Sequence, residues 1–112
     1  MKKWAAWALA GALAVMLAAV MAQNPPQVRS LQGQVMNDRD QPLSGAIVYL
    51  KNTKTMAVKT FITEKNGTYR FNALSPNVDY EVYAEYQGKK SDTKTLSSFD
   101  TKRNATIHLK IK

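Results

Sequence analysis

Few residues in this 112-residue chain have the means to do chemistry, and they are widely spread. There is one histidine, His108, and no cysteine. His108 lies between Ile107 and Leu109, so strand alternation over Asn104 to Lys112 turns it away from a core. Catalytic and structural metal sites need several converging ligands, and none accompanies His108 along the chain. Neither His-Glu-x-x-His nor Gly-x-Ser-x-Gly occurs. The expectation is a protein with no catalytic, cofactor-binding or metal-binding residues, and so not an enzyme.

Two kinds of surface chemistry remain. Ile47, Tyr49 and Tyr83 fall on outward positions of two extended segments. Aromatic side chains placed there can stack on sugar rings or form the core of an interface; their plainer use is to shield neighbouring strands through cross-strand pairs. Lys89, Lys90, Lys94, Lys102, Arg103, Lys110 and Lys112 crowd the last third of the chain. They are candidates for a patch that binds an anionic polymer, or for a solvated edge.

The elements that must position these residues begin after an apolar leader, expected to be a hydrophobic signal helix. Lys2 and Lys3 precede Trp4 to Ala22, which carries no charge. Val20-Met21-Ala22 has the small residues a signal peptidase reads, so cleavage is expected near Ala22, before Gln23. The alternative is an uncleaved membrane anchor over residues 4–22, because about 18 apolar residues can span a bilayer. Without a cysteine the chain cannot be lipidated as a bacterial lipoprotein, and its fold must stand without disulfides.

The whole chain carries +8, and without Lys2 and Lys3 it carries +6. A basic exported protein suits an envelope protein or an acidic polysaccharide as partner. Nucleic acid is not expected, nor is membrane contact except through a retained leader. Residues 1–22 therefore read as signal peptide, 23–27 as a double-proline linker, and 28–112 as one domain. The localisation expected is periplasmic or extracellular, in a bacterium.

Seven strands are expected in that domain: Val28 to Met36, Gly45 to Lys51, Met56 to Thr63, Thr68 to Asn72, Val78 to Tyr86, Lys90 to Ser97 and Asn104 to Lys112. Leu31, Gly33 and Val35 alternate with glutamines in the first. Tyr80, Val82 and Ala84 oppose Asp79, Glu81, Tyr83 and Glu85 in the fifth. Asn66-Gly67 between two β-rich runs signals a tight turn. No helical period appears after the leader. Such spacing predicts an all-β, antiparallel two-sheet sandwich.

Gly33-x-Val35, Pro42-Leu43-x-Gly45-Ala46-x-Val48-x-Leu50, Thr63-Glu64-x-x-Gly67-x-Tyr69-x-Phe71, Leu74-x-Pro76 and Tyr80-x-Val82-x-Ala84 together resemble a carboxypeptidase regulatory-like domain. The resemblance covers about residues 28 to 112 and implies a transthyretin-like (prealbumin-like) Greek-key sandwich with a carbohydrate-binding-like fold and no catalysis of its own. Glu64 departs from the Asp usual in the family. Gly33, Pro42, Gly45, Gly67, Tyr69, Phe71, Pro76 and Tyr80 are then architectural. The related hydroxyisourate hydrolases have several histidines and a C-terminal Tyr-Arg-Gly-Ser, which this chain lacks. Collagen-adhesin B-type repeats carry a Lys–Asn crosslink, whereas the first strand here offers Arg29 and no lysine. The function implied is a small exported module that binds or supports an envelope partner, with a carbohydrate-binding module as the alternative and a transthyretin-like hydrolase a more remote one.

Overall fold

The computed structural model describes residues 27–112; the expected leader helix, its cleavage site and residues 23–26 of the linker lie outside the described residues. Nine strands form two sheets. One sheet centres on β1 (Arg29–Asn37), with β4 (Thr68–Leu74) on one side and β8 (Asn104–Thr106) and β9 (Leu109–Ile111) on the other. The second sheet runs from β3 (Val58–Ile62) through β2 (Ile47–Asn52) to β5 (Tyr80–Tyr86). Beyond β5 lie β6 (Lys89–Lys90) and β7 (Lys94–Leu96).

Period-two alternation builds the core between the sheets. Leu31 and Val35 of β1, Val48 and Leu50 of β2, Tyr69 and Phe71 of β4, and Val82 and Ala84 of β5 are buried together with Leu109 and Ile111. These are the inward sets that the alternation of the sequence predicts. Of the residues expected to be architectural, Gly33, Gly67, Tyr69, Phe71 and Tyr80 are buried, Pro76 is half-buried, and Pro42 and Gly45 are exposed.

The expected count of seven strands, all antiparallel, is corrected to nine, with β8 and β9 parallel to β1. The extra two come from breaks in the last two expected strands. Between β6 and β7 the register against β5 slips by one residue: Glu85 pairs with Lys90, but Val82 with Lys94. Ser91 causes the slip, since its Oγ takes the Ala84 N–H (2.8 Å) that a backbone carbonyl would otherwise accept. The result is a bulge on the outermost line of that sheet.

The break between β8 and β9 has a different cause. Gln32 faces Thr106 and Val35 faces Leu109, so the register is unchanged across it. A regular parallel ladder would carry a bond from the Gln34 N–H to the Ile107 carbonyl. Here that carbonyl turns instead into the space over Gly33, where a Cβ would sit 1.8 Å from its oxygen. It accepts the Tyr69 hydroxyl at 2.5 Å. The Gln34 N–H, left without its carbonyl, donates to His108 Nδ1 at 3.2 Å. Among the described residues no buried side-chain polar atom lacks a partner, and burial pushes the Tyr69 phenol well above its ordinary pKa.

The turns dock on β1 at Val35. Its N–H donates to the Gly67 carbonyl (2.8 Å), and its carbonyl accepts from the Leu43 N–H (2.9 Å). Gly67, at φ 75°, is pressed against this backbone, and a Cβ there would lie 2.7 Å from Val35 O. The buried Thr63 hydroxyl donates to Leu43 O (2.6 Å) and accepts from the Ala46 N–H (2.9 Å), fixing the Pro42–Ala46 segment. The departure at Glu64 leaves this turn intact, because Asn66 Oδ1 accepts the Thr68 hydroxyl and its carbonyl accepts Gln34 Nε2.

Gly33→Ala drives a methyl group into the Ile107 carbonyl. It is expected to lower the free energy of unfolding by on the order of 3 kcal/mol, read by denaturant titration at constant m-value.

Candidate functional site

The outer face of the five-stranded sheet is built by the outward residues of β2, β3 and β5. Tyr49 stands directly opposite Tyr83 in the β2–β5 register, and their rings stack at 4.8 Å with 15° between planes. Lys90 Nζ lies 5.6 Å from the Tyr83 centroid on the β6 side, so that ring is held between Tyr49 and an ammonium group. Partial desolvation and the neighbouring Glu85 carboxylate raise the Tyr49 phenol pKa. Ile47 is opposite Ile62 on β3, and Val58, opposite Lys51, extends the apolar surface along the sheet edge; Met56 lies in the turn before β3. Ile62 is 66% exposed, Met56 60% and Val58 54%.

Ile47, Tyr49 and Tyr83 therefore share one surface, joined by two exposed apolar residues, Val58 and Ile62, that sequence reasoning passed over. The signal was available: Val58, Thr60 and Ile62 alternate with Lys59 and Phe61, and of those two Phe61 packs on the core.

The lysines of the last third do not form one patch. Lys94, Lys110 and Lys112 surround a hollow of about 230 Å³ with His108 and Asp92. Lys110 is paired with Asp40 at 2.8 Å. Lys89 lines a neighbouring hollow with Lys112, and Lys90 belongs to the tyrosine face. Lys102 and Arg103 precede β8 and lie at the opposite end of the sheet, beside Val28 and Pro76. His108 also lines a larger, shallow concavity of about 490 Å³ on the four-stranded sheet, together with Gln32, Gln34, Thr68, Arg70 and Thr106. Among the described residues no three of His, Asp and Glu are grouped to hold a metal ion.

Arg29 is the residue whose role sequence reasoning missed most completely. It is 4% exposed. Its guanidinium donates to the carbonyls of Ser75 (3.1 Å), Val78 (2.6 Å), Ser97 (2.7 Å) and Asp100 (3.4 Å), and lies 5.8 Å from the Tyr80 centroid. One side chain thus ties the β4–β5 loop to the loop after β7. Arg29 has the same parity as Leu31, Gly33 and Val35, which marks it as inward. Beside it, Asp79 accepts the Ser98 N–H at 2.6 Å. That bond, helped by the nearby Arg29 charge, lowers the Asp79 carboxyl pKa.

A sandwich of this topology with these turn residues has relatives. The sequence profile of the carboxypeptidase regulatory-like domain matches residues 30–110, and the chain belongs to that family. No curated protein matches it in sequence. Its fold is similar to part of the major pilin subunit of Bacillus cereus (13% identity, TM-score 0.58, 77% of this chain and 30% of that one). It is also similar to catechol 1,2-dioxygenase from Acinetobacter (13% identity, TM-score 0.58, 80% and 54%) and to the Bacillus anthracis TIE protein (19%, 0.58, 76% and 16%). The chain spans about a third of the pilin subunit and half of the dioxygenase. At these identities the likeness is one of fold.

Arg29→Lys keeps the charge but loses the planar fork that reaches several carbonyls. It is expected to lower stability by about 2–3 kcal/mol in chemical denaturation. The Asp79 carboxyl titrates lower in the folded than in the unfolded chain. Its contribution is therefore complete above the ordinary carboxylate range and is lost as pH falls through the lowered folded value. Melting curves of wild type and Asp79→Asn, taken from pH 7 to pH 2, are expected to differ at neutral pH and to converge in acid.

Proposed function

We propose that this protein is a small, exported, non-catalytic module that presents the outer face of its five-stranded sheet to a protein of the cell envelope. The observation that carries the reading is the surface made by Ile47, Tyr49, Tyr83, Val58 and Ile62, continuous across three strands, with the two tyrosines half-buried and Ile47, Val58 and Ile62 exposed. Apolar and aromatic surface of this kind, ringed by Lys51, Glu81, Glu85 and Lys90, has the composition of an interface with an apolar centre and a charged rim. Membership in the carboxypeptidase regulatory-like family and the likeness in fold to a pilin subunit and the TIE protein support an accessory role. The stacking of Tyr83 between Tyr49 and Lys90 argues against a sugar platform, because both faces of that ring are already occupied.

A second reading, an anionic glycan as ligand, rests on the hollow lined by Lys94, Lys110, Lys112 and His108. Because His108 Nδ1 accepts a backbone N–H, a neutral imidazole carries its proton on Nε2, leaving a donor to point elsewhere. The two readings respond oppositely to salt. Exposed charge contacts weaken as the screening length falls from about 10 Å at 0.1 M to about 3 Å at 1 M, whereas apolar contacts persist.

The test is capture from the source organism's envelope extract by protein purified from cells expressing the tagged full chain, at low and high salt. The expected outcome is a specific protein retained at high salt and reduced about tenfold or more by Tyr49→Ala or Ile47→Lys. Capture of acidic glycan instead, released by salt and by Lys94→Glu, would replace the first reading with the second. Nothing specific under either condition would remove both.

A further inference from the structure

The edge of the five-stranded sheet at β3 carries an inference of its own. β3 pairs with β2 over five residues without a register shift and, among the described residues, with no strand on its other side. Thr63 N–H donates to Ala46 O and Asn52 N–H to Ala57 O, both at 2.8 Å, which marks positions 57 and 63 as bonding toward β2. By antiparallel alternation Lys59 and Phe61 do the same, and the N–H and C=O groups of Val58, Thr60 and Ile62 point away from the sheet.

The other edges are blunted. β4 holds a bulge, since Arg29 pairs with Leu74 but Leu31 with Phe71, and Ala73 there sits at φ 58°. The β6–β7 line slips register at Ser91 and is tied to β9 by a bridge between Ser91 and Ile111. β3 has no proline, glycine or bulge, and one lysine. Straight, β-branched edges of this sort are templates for another strand.

We propose that β3 is the self-association edge of this protein, where two copies pair antiparallel about a twofold axis through Thr60. The segment Val-Lys-Thr-Phe-Ile is self-complementary in that register. Val58 faces Ile62 of the second copy, Thr60 faces Thr60, and all three are the residues with outward N–H and C=O groups, so each pair exchanges two hydrogen bonds. Lys59 faces Phe61 of the second copy and never its own counterpart, which avoids a like-charge pair and sets an ammonium beside a ring. The antiparallel order also brings the Lys54 end of one copy to the Glu64 end of the other.

On the outer face the pairing joins two apolar surfaces into one. Ile47 and Ile62 of one copy run on to Val58 of the other, and the row Tyr83–Tyr49–Thr60 continues into Thr60–Tyr49–Tyr83. Exposed Val58 and Ile62 are covered in the same step. A five-residue edge lies below about 1,200 Å² of buried surface, so the association is weak and concentration-dependent. With a net charge of +8 on the full chain, or +6 without Lys2 and Lys3, long-range repulsion opposes it, and added salt strengthens it. This is a property of the edge and holds whichever partner the outer face takes.

The test uses protein purified from cells expressing the full chain, in sedimentation velocity over a wide concentration range at low and high salt. A monomer–dimer equilibrium shifted toward dimer by salt is expected. Thr60→Pro should abolish it, because the lost N–H faces away from β2 and the β2–β3 ladder is untouched. An unchanged thermal unfolding curve confirms that Thr60→Pro is folded. The native chain has no cysteine, so Thr60→Cys offers a check that does not rely on the proline. Opposed residues of a hydrogen-bonded pair have Cα atoms about 5.5 Å apart, within disulfide reach. With added oxidant it should form a covalent dimer at least tenfold faster than Thr106→Cys, which is exposed on the other sheet. A wild type that stays monomeric throughout, a dimer that survives in folded Thr60→Pro, or equal crosslinking by the two cysteine variants would overturn the proposal.

Discussion

A side chain missing from one position shapes most of what this molecule exposes. At Gly33 the Ile107 carbonyl occupies the space a Cβ would fill, and from that follow the Tyr69 hydrogen bond and the capture of the Gln34 N–H by His108. The last strand is interrupted there without losing register, so β9 continues to the end of β1 and reaches the β6–β7 line through Ser91 and Ile111. That bridge closes one side of the sandwich. The other side, between β3 and β4, has no such ladder across it among the described residues. The open edge and the apolar face beside it are what remains after the core has been satisfied.

Alternation was enough to read the inward sets, because each of Leu31, Val48, Tyr69, Val82 and Leu109 obeys a local rule about its own strand. The sandwich class and the family follow from these and from the turn residues. The split of the last two strands was not legible in the same way. It depends on partners 74 residues away for Gln34 and His108, and on a serine that looks like any other turn-forming residue at position 91. His108 reads from sequence as exposed, which it is, but its nitrogen closes a backbone valence. No pattern within its own strand shows that.

Arg29 makes the complementary point. Its parity placed it inward, yet an arginine at a strand start is ordinarily assigned to solvent, since charged side chains are seldom fully buried. What makes burial tolerable is a set of backbone carbonyls in two loops, from Ser75, Val78, Ser97 and Asp100, that converge only in the folded chain. The lysines illustrate the reverse error. They are close in sequence from 89 to 112, but β8 and β9 run alongside the full length of β1 and carry Lys102 and Lys112 to opposite ends. Proximity along an extended chain at about 3.3 Å per residue is a poor guide to proximity on a surface.

The two outer faces have been finished differently. On the four-stranded sheet Arg70 donates to Gln32 Oε1 (2.6 Å) and Asn72 Oδ1 (2.8 Å), and Gln34 donates to Asn66 O (2.7 Å), so these polar groups pair with one another. On the five-stranded sheet Ile47, Tyr49, Val58, Ile62 and Tyr83 stand outward among Thr60, Lys51, Glu81 and Glu85, and for those five water is a poor partner. Of the two outer faces this is the one that leaves Val58 and Ile62 in solvent, and so the one with something to gain from contact. The exposed row ends at β3, the strand whose outward N–H and C=O groups also lack a ladder. Apolar contact and backbone pairing are thereby offered at the same border, and a surface that offers both is specific in direction as well as adhesive. That coincidence gives this small sandwich a preferred side on which to meet another molecule.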